Sequence, residues 1–205
     1  MDMMAGALRF PRRAEHHMAM PAALPTYWTA TLVRALPDDG KRYECIDGEL
    51  LVSPSPRARH QRAVRDLLLV LEPFVRTHRL GEVLHSPADL ELEPEMLVQP
   101  DLFVLAPRAD GARIRDWTDV EGLRLAIEVL SPSTARYDRT VKRRFFQRVR
   151  VPEYWVVDLD ARLLERWRPD DERPEILTGT FVWEPVQGLA CPINLDAVAG
   201  EIDDA

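Results

Sequence analysis

Two carboxylates in this sequence stand where a charge is expensive. Asp101 follows Pro100 at the head of the apolar run LeuPheValLeu, and Glu128 interrupts the apolar segment AlaIleGluValLeu. A carboxylate in such a setting must be paired or must hold a metal. A hard divalent cation explains both at once, since Mg²⁺ is bound through one or two carboxylates together with waters and substrate phosphate oxygens. Such an ion lowers the pKa of an attacking water and neutralises charge developing on phosphorus. Downstream, Lys142 supplies an ammonium that would orient the water or hold a phosphate oxygen. The bland reading stays open: each acid pairs with one of the many arginines, and Asp138 with Lys142 is an ordinary i,i+4 salt bridge.

The elements that must position these groups are readable from pattern. Residues 27 to 36 form a short helix closed by Pro37. Strands over 43 to 46 and 49 to 52 flank Asp47-Gly48, the pair that gives a two-residue turn its positive φ angles. Apolar residues at helical spacing from Val64 to Val75 predict a helix reaching about Arg79. Strands follow at 82 to 85, 88 to 92, 101 to 105 and 123 to 130. A helix over 137 to 149 precedes a buried strand at 154 to 158, and alternating residues at 163 to 168, 175 to 178 and 181 to 186 predict a closing antiparallel meander. This order predicts an α/β or α+β sheet core. Tyr154 and Trp155 could stack on a base, but aromatic residues in an apolar strand are expected to serve packing.

Composition narrows the classes. The chain has 205 residues, enough for one core, with 46% hydrophobic and 30% charged residues. No stretch reaches the roughly 20 apolar residues of a membrane helix. Residues 1–25 read as a disordered leader without a secretory h-region, and 26–200 as one domain, so a cytoplasmic location is expected. Cys45 and Cys191, far apart, give neither a disulfide framework nor a zinc motif. The net charge of −7 argues against a protein that coats nucleic acid non-specifically, though it can hide a local patch. Two arginine-rich runs stand out against that background, at 57 to 65 and 136 to 150. If their helices flank the acids, they make a positive rim around an acidic centre; the plain alternative is two solvated faces.

An ordered series joins these features: Arg42-Tyr43-Glu44, Asp47-Gly48-Glu49, Ser55-Pro56 with His60, Pro100-Asp101, Glu128-Val129-Leu130-Ser131-Pro132-Ser133-Thr134, Asp138, Lys142 and Glu153 to Asp158. Over roughly residues 27 to 170 it resembles the Uma-two-type restriction-endonuclease family of bacterial proteins. The resemblance implies a PD-(D/E)XK nuclease fold, a mixed sheet flanked by helices, with catalytic residues Asp101, Glu128 and Lys142. It implies Mg²⁺, or Mn²⁺, on Asp101, Glu128 and the main-chain carbonyl of Val129, and DNA as the partner. The superfamily pattern places its lysine two residues beyond the second acid, where this chain has Leu130; similar sequences take it from the following helix, which points to Lys142. Glu49 and His60 are possible accessory residues, and Arg143 and Arg144 candidate nucleic-acid contacts. The expected activity is Mg²⁺-dependent endonucleolytic hydrolysis of DNA; the alternative is a catalytically silent nucleic-acid-binding or regulatory protein that kept the fold. A homodimer would suit an enzyme that cuts both strands.

Overall fold

The computed structural model describes residues 25–200. The leader expected over 1–25 lies outside these residues except for Pro25.

Helix α1 (Ala30–Arg34) opens on Thr29, whose hydroxyl accepts from the Leu32 amide. It is shorter than the 27 to 36 predicted. Strands β1 (Arg42–Ile46) and β2 (Glu49–Ser53) form the expected hairpin, with φ of 50° at Asp47 and 83° at Gly48. The long helix α2 (Ala58–Thr77) runs through Pro73 and buries a stripe of Ala63, Val64, Leu67, Leu71 and Val75.

Six strands make the central sheet: β3 (Glu82–His85), β4 (Leu102–Leu105), β5 (Leu123–Val129), β6 (Glu153–Asp158), β7 (Leu163–Trp167) and β8 (Glu175–Leu177), in that spatial order. Only the β5–β6 pair is parallel. Its crossover is a continuous helical segment: α3 (Ala135–Tyr137), a π-helical stretch (Asp138–Lys142) and α4 (Arg143–Arg148). The chain is therefore a mixed α+β fold with a mixed central sheet flanked by helices.

Strand alternation divides the core. Leu102, Val104, Leu125, Ile127 and Val129 meet α2, while Phe103, Ala126, Tyr154 and Val156 pack with Phe145 and Phe146 of α4. Period two places Asp101 with Phe103 and Glu128 with Ala126, so both acids belong to the α4 side. Tyr154 and Trp155 are fully packed, as expected.

Two expectations need correction. Residues 88 to 92 are not a strand: only Leu90 bridges, to Val98, because the chain turns back at once over 92 to 95. The closing meander divides after β8, since β9 (Thr180–Val186) leaves the central sheet and pairs with β10 (Leu189–Asn194). A last helix, α5 (Leu195–Ala199), capped by Asn194, was not anticipated. Among the described residues, no helix is long and apolar enough to cross a membrane.

Candidate active site

Register and crossover together bring the acids and the lysine to one place. Leu102 faces Ile127 across the antiparallel β4–β5 pair, which sets Asp101, one residue earlier, beside Glu128, one residue later. Both line a cavity of about 640 Å³ with His60, Leu130, Asp138 and Lys142.

Asp101 is held on three sides. Its Oδ1 accepts from Arg42 Nη1 at 2.7 Å, and its Oδ2 meets His60 Nε2 at 2.8 Å and accepts from the Val129 amide at 2.9 Å. Burial alone would raise its pKa, but the hydrogen bond and charge of His60, with Arg42 beside it, hold it well below the usual carboxylate range.

Lys142 sits among three acids. Its Nζ lies 2.7 Å from Glu44 Oε1, 2.8 Å from Glu128 Oε1 and 3.9 Å from Asp138 Oδ1. The i,i+4 pair with Asp138 is thus the longest of these contacts, and the tight ones are tertiary. The π-helical stretch directs both Asp138 and Lys142 inward; both are buried. Burial opposes the ammonium's charge, but Glu128, Glu44 and Asp138 outweigh it and raise the Lys142 pKa. Glu128 is pushed well above the usual range by burial, which exceeds the lowering by Lys142, and by the charges of Asp101, Asp138 and Glu44. Burial raises Asp138 to about 6, against Lys142 and a Thr134 hydrogen bond.

Glu44 belongs to the upstream motif but was not expected in the site. It is 1% exposed on β1, and its Oε1 also accepts from the Gln99 amide at 2.7 Å. The signal lay in strand alternation: a charge at the centre of a buried hairpin strand needs a partner as Glu128 does. His60 joins the site. Glu49 does not: it is exposed on β2 and absent from the cavity lining.

Arg143 and Arg144 also lie off the cavity. The Arg143 guanidinium stacks over Trp167 and donates to Arg139 O and Gln147, and Arg144 is exposed. The expected positive rim from the 136 to 150 run is neutralised at three of its six arginines. Arg139 pairs with Asp158 and Glu165, Arg148 with Asp47 and Glu93, and Arg150 with Asp170. Of these three only Arg139 reaches the cavity.

Among the described residues no three His, Cys, Asp or Glu side chains are arranged to hold a metal ion by themselves. The expected donors are two carboxylates and a carbonyl, and their spare capacity fits that set. Asp101 Oδ1 accepts one bond, and no hydrogen bond among the described residues reaches Glu128 Oε2. The charge also fits: four buried carboxylates, Glu44, Asp101, Glu128 and Asp138, face Lys142 and Arg42. Fully ionised, they leave two negative charges over before His60 is counted.

The family model "Putative restriction endonuclease", Uma2, matches residues 30–196. The chain belongs to the Uma2 family. A crystal structure of a "putative nuclease belonging to DUF820" from Anabaena variabilis ATCC 29413 is similar to it at a TM-score of 0.67, with 18% sequence identity, over 83% of this chain and 97% of that one. That likeness supports the fold. No curated protein matches the chain. The matched span of this Uma2 chain takes in every residue named in the site, from Arg42 to Lys142.

Proposed function

We propose that this Uma2 chain is a Mg²⁺-dependent endonuclease that hydrolyses phosphodiester bonds of DNA in the cytoplasm. The observation that carries the reading is the convergence of Asp101, Glu128 and Lys142, from the residue before β4, from β5 and from the crossover helix, on one cavity. Three such groups scattered as surface ion pairs would have no reason to meet at the end of a parallel strand pair.

Asp101 and Glu128, with the Val129 carbonyl, are the residues that would hold the metal. A divalent ion bound there would supply an acidified water and a counter-charge for the phosphate. The chain does the rest. His60, Arg42 and the Val129 amide keep Asp101 ionised and fixed in orientation. Glu44 and Glu128 hold the Lys142 ammonium charged at the cavity wall, where it offsets negative charge that develops on a phosphoryl oxygen. Leu130 lines the same cavity without a charge, so the ammonium from the helix takes the place a strand lysine would have. Arg143 and Arg144 lie off the cavity lining, so contacts they make with DNA fall away from the buried acids.

Plasmid and linear DNA should be cut by the full chain with Mg²⁺ or Mn²⁺ and not with EDTA. Glu128→Ala should abolish cutting while the protein still melts cooperatively. Full activity in that variant would sink the assignment. One observation favours the second reading, a silent DNA-binding module: Lys142 already occupies the space between Glu44 and Glu128. Calorimetric titration with Mg²⁺ separates the two, since the silent module would show no ion uptake that depends on Asp101 and Glu128.

A further inference from the structure

A second cavity, of about 550 Å³, adjoins the first and shares Arg59, Leu159 and Asp160 with it. It lies between α2 and the chain at 198 to 200, and four of its lining residues are arginines: Arg59, Arg62, Arg65 and Arg162. We propose that this groove carries the DNA strand away from the acidic cavity by gripping its phosphates. The proposal rests on the nuclease reading only for the direction of the strand.

Spacing supports a linear ligand. Arg59, Arg62 and Arg65 recur every three residues on α2, so they present a row about 9 Å long at 1.5 Å of rise per residue. The rise of about 3.4 Å per nucleotide of one strand is measured along a duplex axis; along the backbone itself adjacent phosphates lie farther apart, so a row of this length meets about two of them. Guanidinium groups suit this task because they bind phosphate in a bidentate fork.

Arg162 is tied to Asp196 and to the Gly200 carbonyl, so the row on α2 does the gripping, and the groove's acids do not close that row. Arg62 is exposed and has no ion pair among the described residues. Arg65 is 61% exposed beside Asp66, and Arg59 pairs with Asp160, which is 87% exposed. Exposed pairs of this kind are worth little, so a phosphate displaces the carboxylate at small cost. Arg59 stands at the junction of the two cavities and also donates to Leu159 O at 2.7 Å, which fixes it there. On the crossover segment, Arg139 and Arg148 are each tied to two acids.

The test is binding of a fluorescent single-stranded DNA to the metal-free full chain over a salt series. Arg62→Ala/Arg65→Ala should weaken binding and make the slope of log affinity against log salt shallower by about 1.4, since each phosphate of a single strand that is no longer neutralised takes roughly 0.7 off the slope. Both side chains are exposed, so the melting temperature should hold. Arg113→Ala, an 85% exposed arginine elsewhere, should keep the wild-type slope. An unchanged slope in the double variant, an equal loss in Arg113→Ala, or no DNA binding by the wild type would each overturn the proposal. Groove-dependent binding without cleavage by the wild type would support the groove and overturn the nuclease reading instead.

Discussion

At the scale of single residues, the tension lies in the surplus of buried negative charge around Lys142. Glu44 is the informative position, because it touches the ammonium but is not one of the expected metal donors. Glu44→Gln keeps the shape and the acceptor for the Gln99 amide, yet removes one of the surplus charges. If Glu44 were only half of a structural ion pair, its loss would cost about 3–5 kcal/mol. The surplus argues otherwise: stability at pH 7 should change by less than about 1 kcal/mol or rise, since Lys142 keeps Glu128. Cleavage should fall about 10- to 100-fold, as for other groups that orient a functional side chain. Denaturant unfolding and initial rates on the same preparation read both quantities. A large loss of stability with normal rates would assign Glu44 to the fold alone.

At the scale of elements, the π-helical stretch sets where Asp138 and Lys142 point. Such a stretch holds one residue more per turn than an α-helix. Phe145 and Phe146 anchor the following turns in the core, so deleting Thr140 should leave α4 and Lys142 in place and swing Asp138 out of the cluster by about 100°. The Tyr154 hydroxyl would lose the Asp138 carbonyl it donates to at 3.0 Å. The expected outcome is a cooperatively folded protein with helix content kept by circular dichroism, and cleavage reduced at least about tenfold. Undiminished cleavage would show that the stretch has no positioning role.

The same element marks the limit of what pattern reveals. Asp101 and Glu128 were legible as candidates because a charge in or beside an apolar strand demands an explanation; Lys142, on the crossover helix, was pointed to by the family resemblance. The π turn was not legible, since Asp138 and Lys142 at i,i+4 fit an α-helix equally well. The strands of the central sheet were placed within a residue or two by alternation and turn chemistry. The β9–β10 pairing was not, because register between distant segments depends on tertiary packing and Pro192 breaks the strand signal. The fate of the arginines was hidden for the same reason: their acidic partners, among them Asp47, Glu93 and Asp158, come from remote loops and strands.

For the whole molecule, the acidic cluster predicts how stability follows pH when no metal is bound. Asp138 titrates near 3.8 in the unfolded chain and near 6 when folded, so between these values the folded protein holds a proton that the unfolded chain has released. Its contribution is therefore complete below about 3.8 and lost as pH rises through 6; Glu128, also raised, acts in the same direction. A shift of this size in a buried group corresponds to roughly 2–3 kcal/mol. Asp101 works the other way: its pKa is depressed, so its contribution holds above 3.8 and is lost as pH falls below that. The melting temperature should consequently rise as pH is lowered from 7.5 toward 5 and collapse below about 4. The net charge of −7 adds general repulsion that also eases on acidification, so the wild-type curve alone does not isolate the cluster. Asp138→Asn does, because it removes only the step between about 4 and 6 and should flatten that limb. A divalent ion that neutralises the same surplus charge should raise the melting temperature more at pH 7.5 than at pH 5, where protons already do so. A wild-type melting temperature that falls steadily from pH 7.5 to 5, or a variant curve parallel to it, would mean that the buried acids carry no surplus charge.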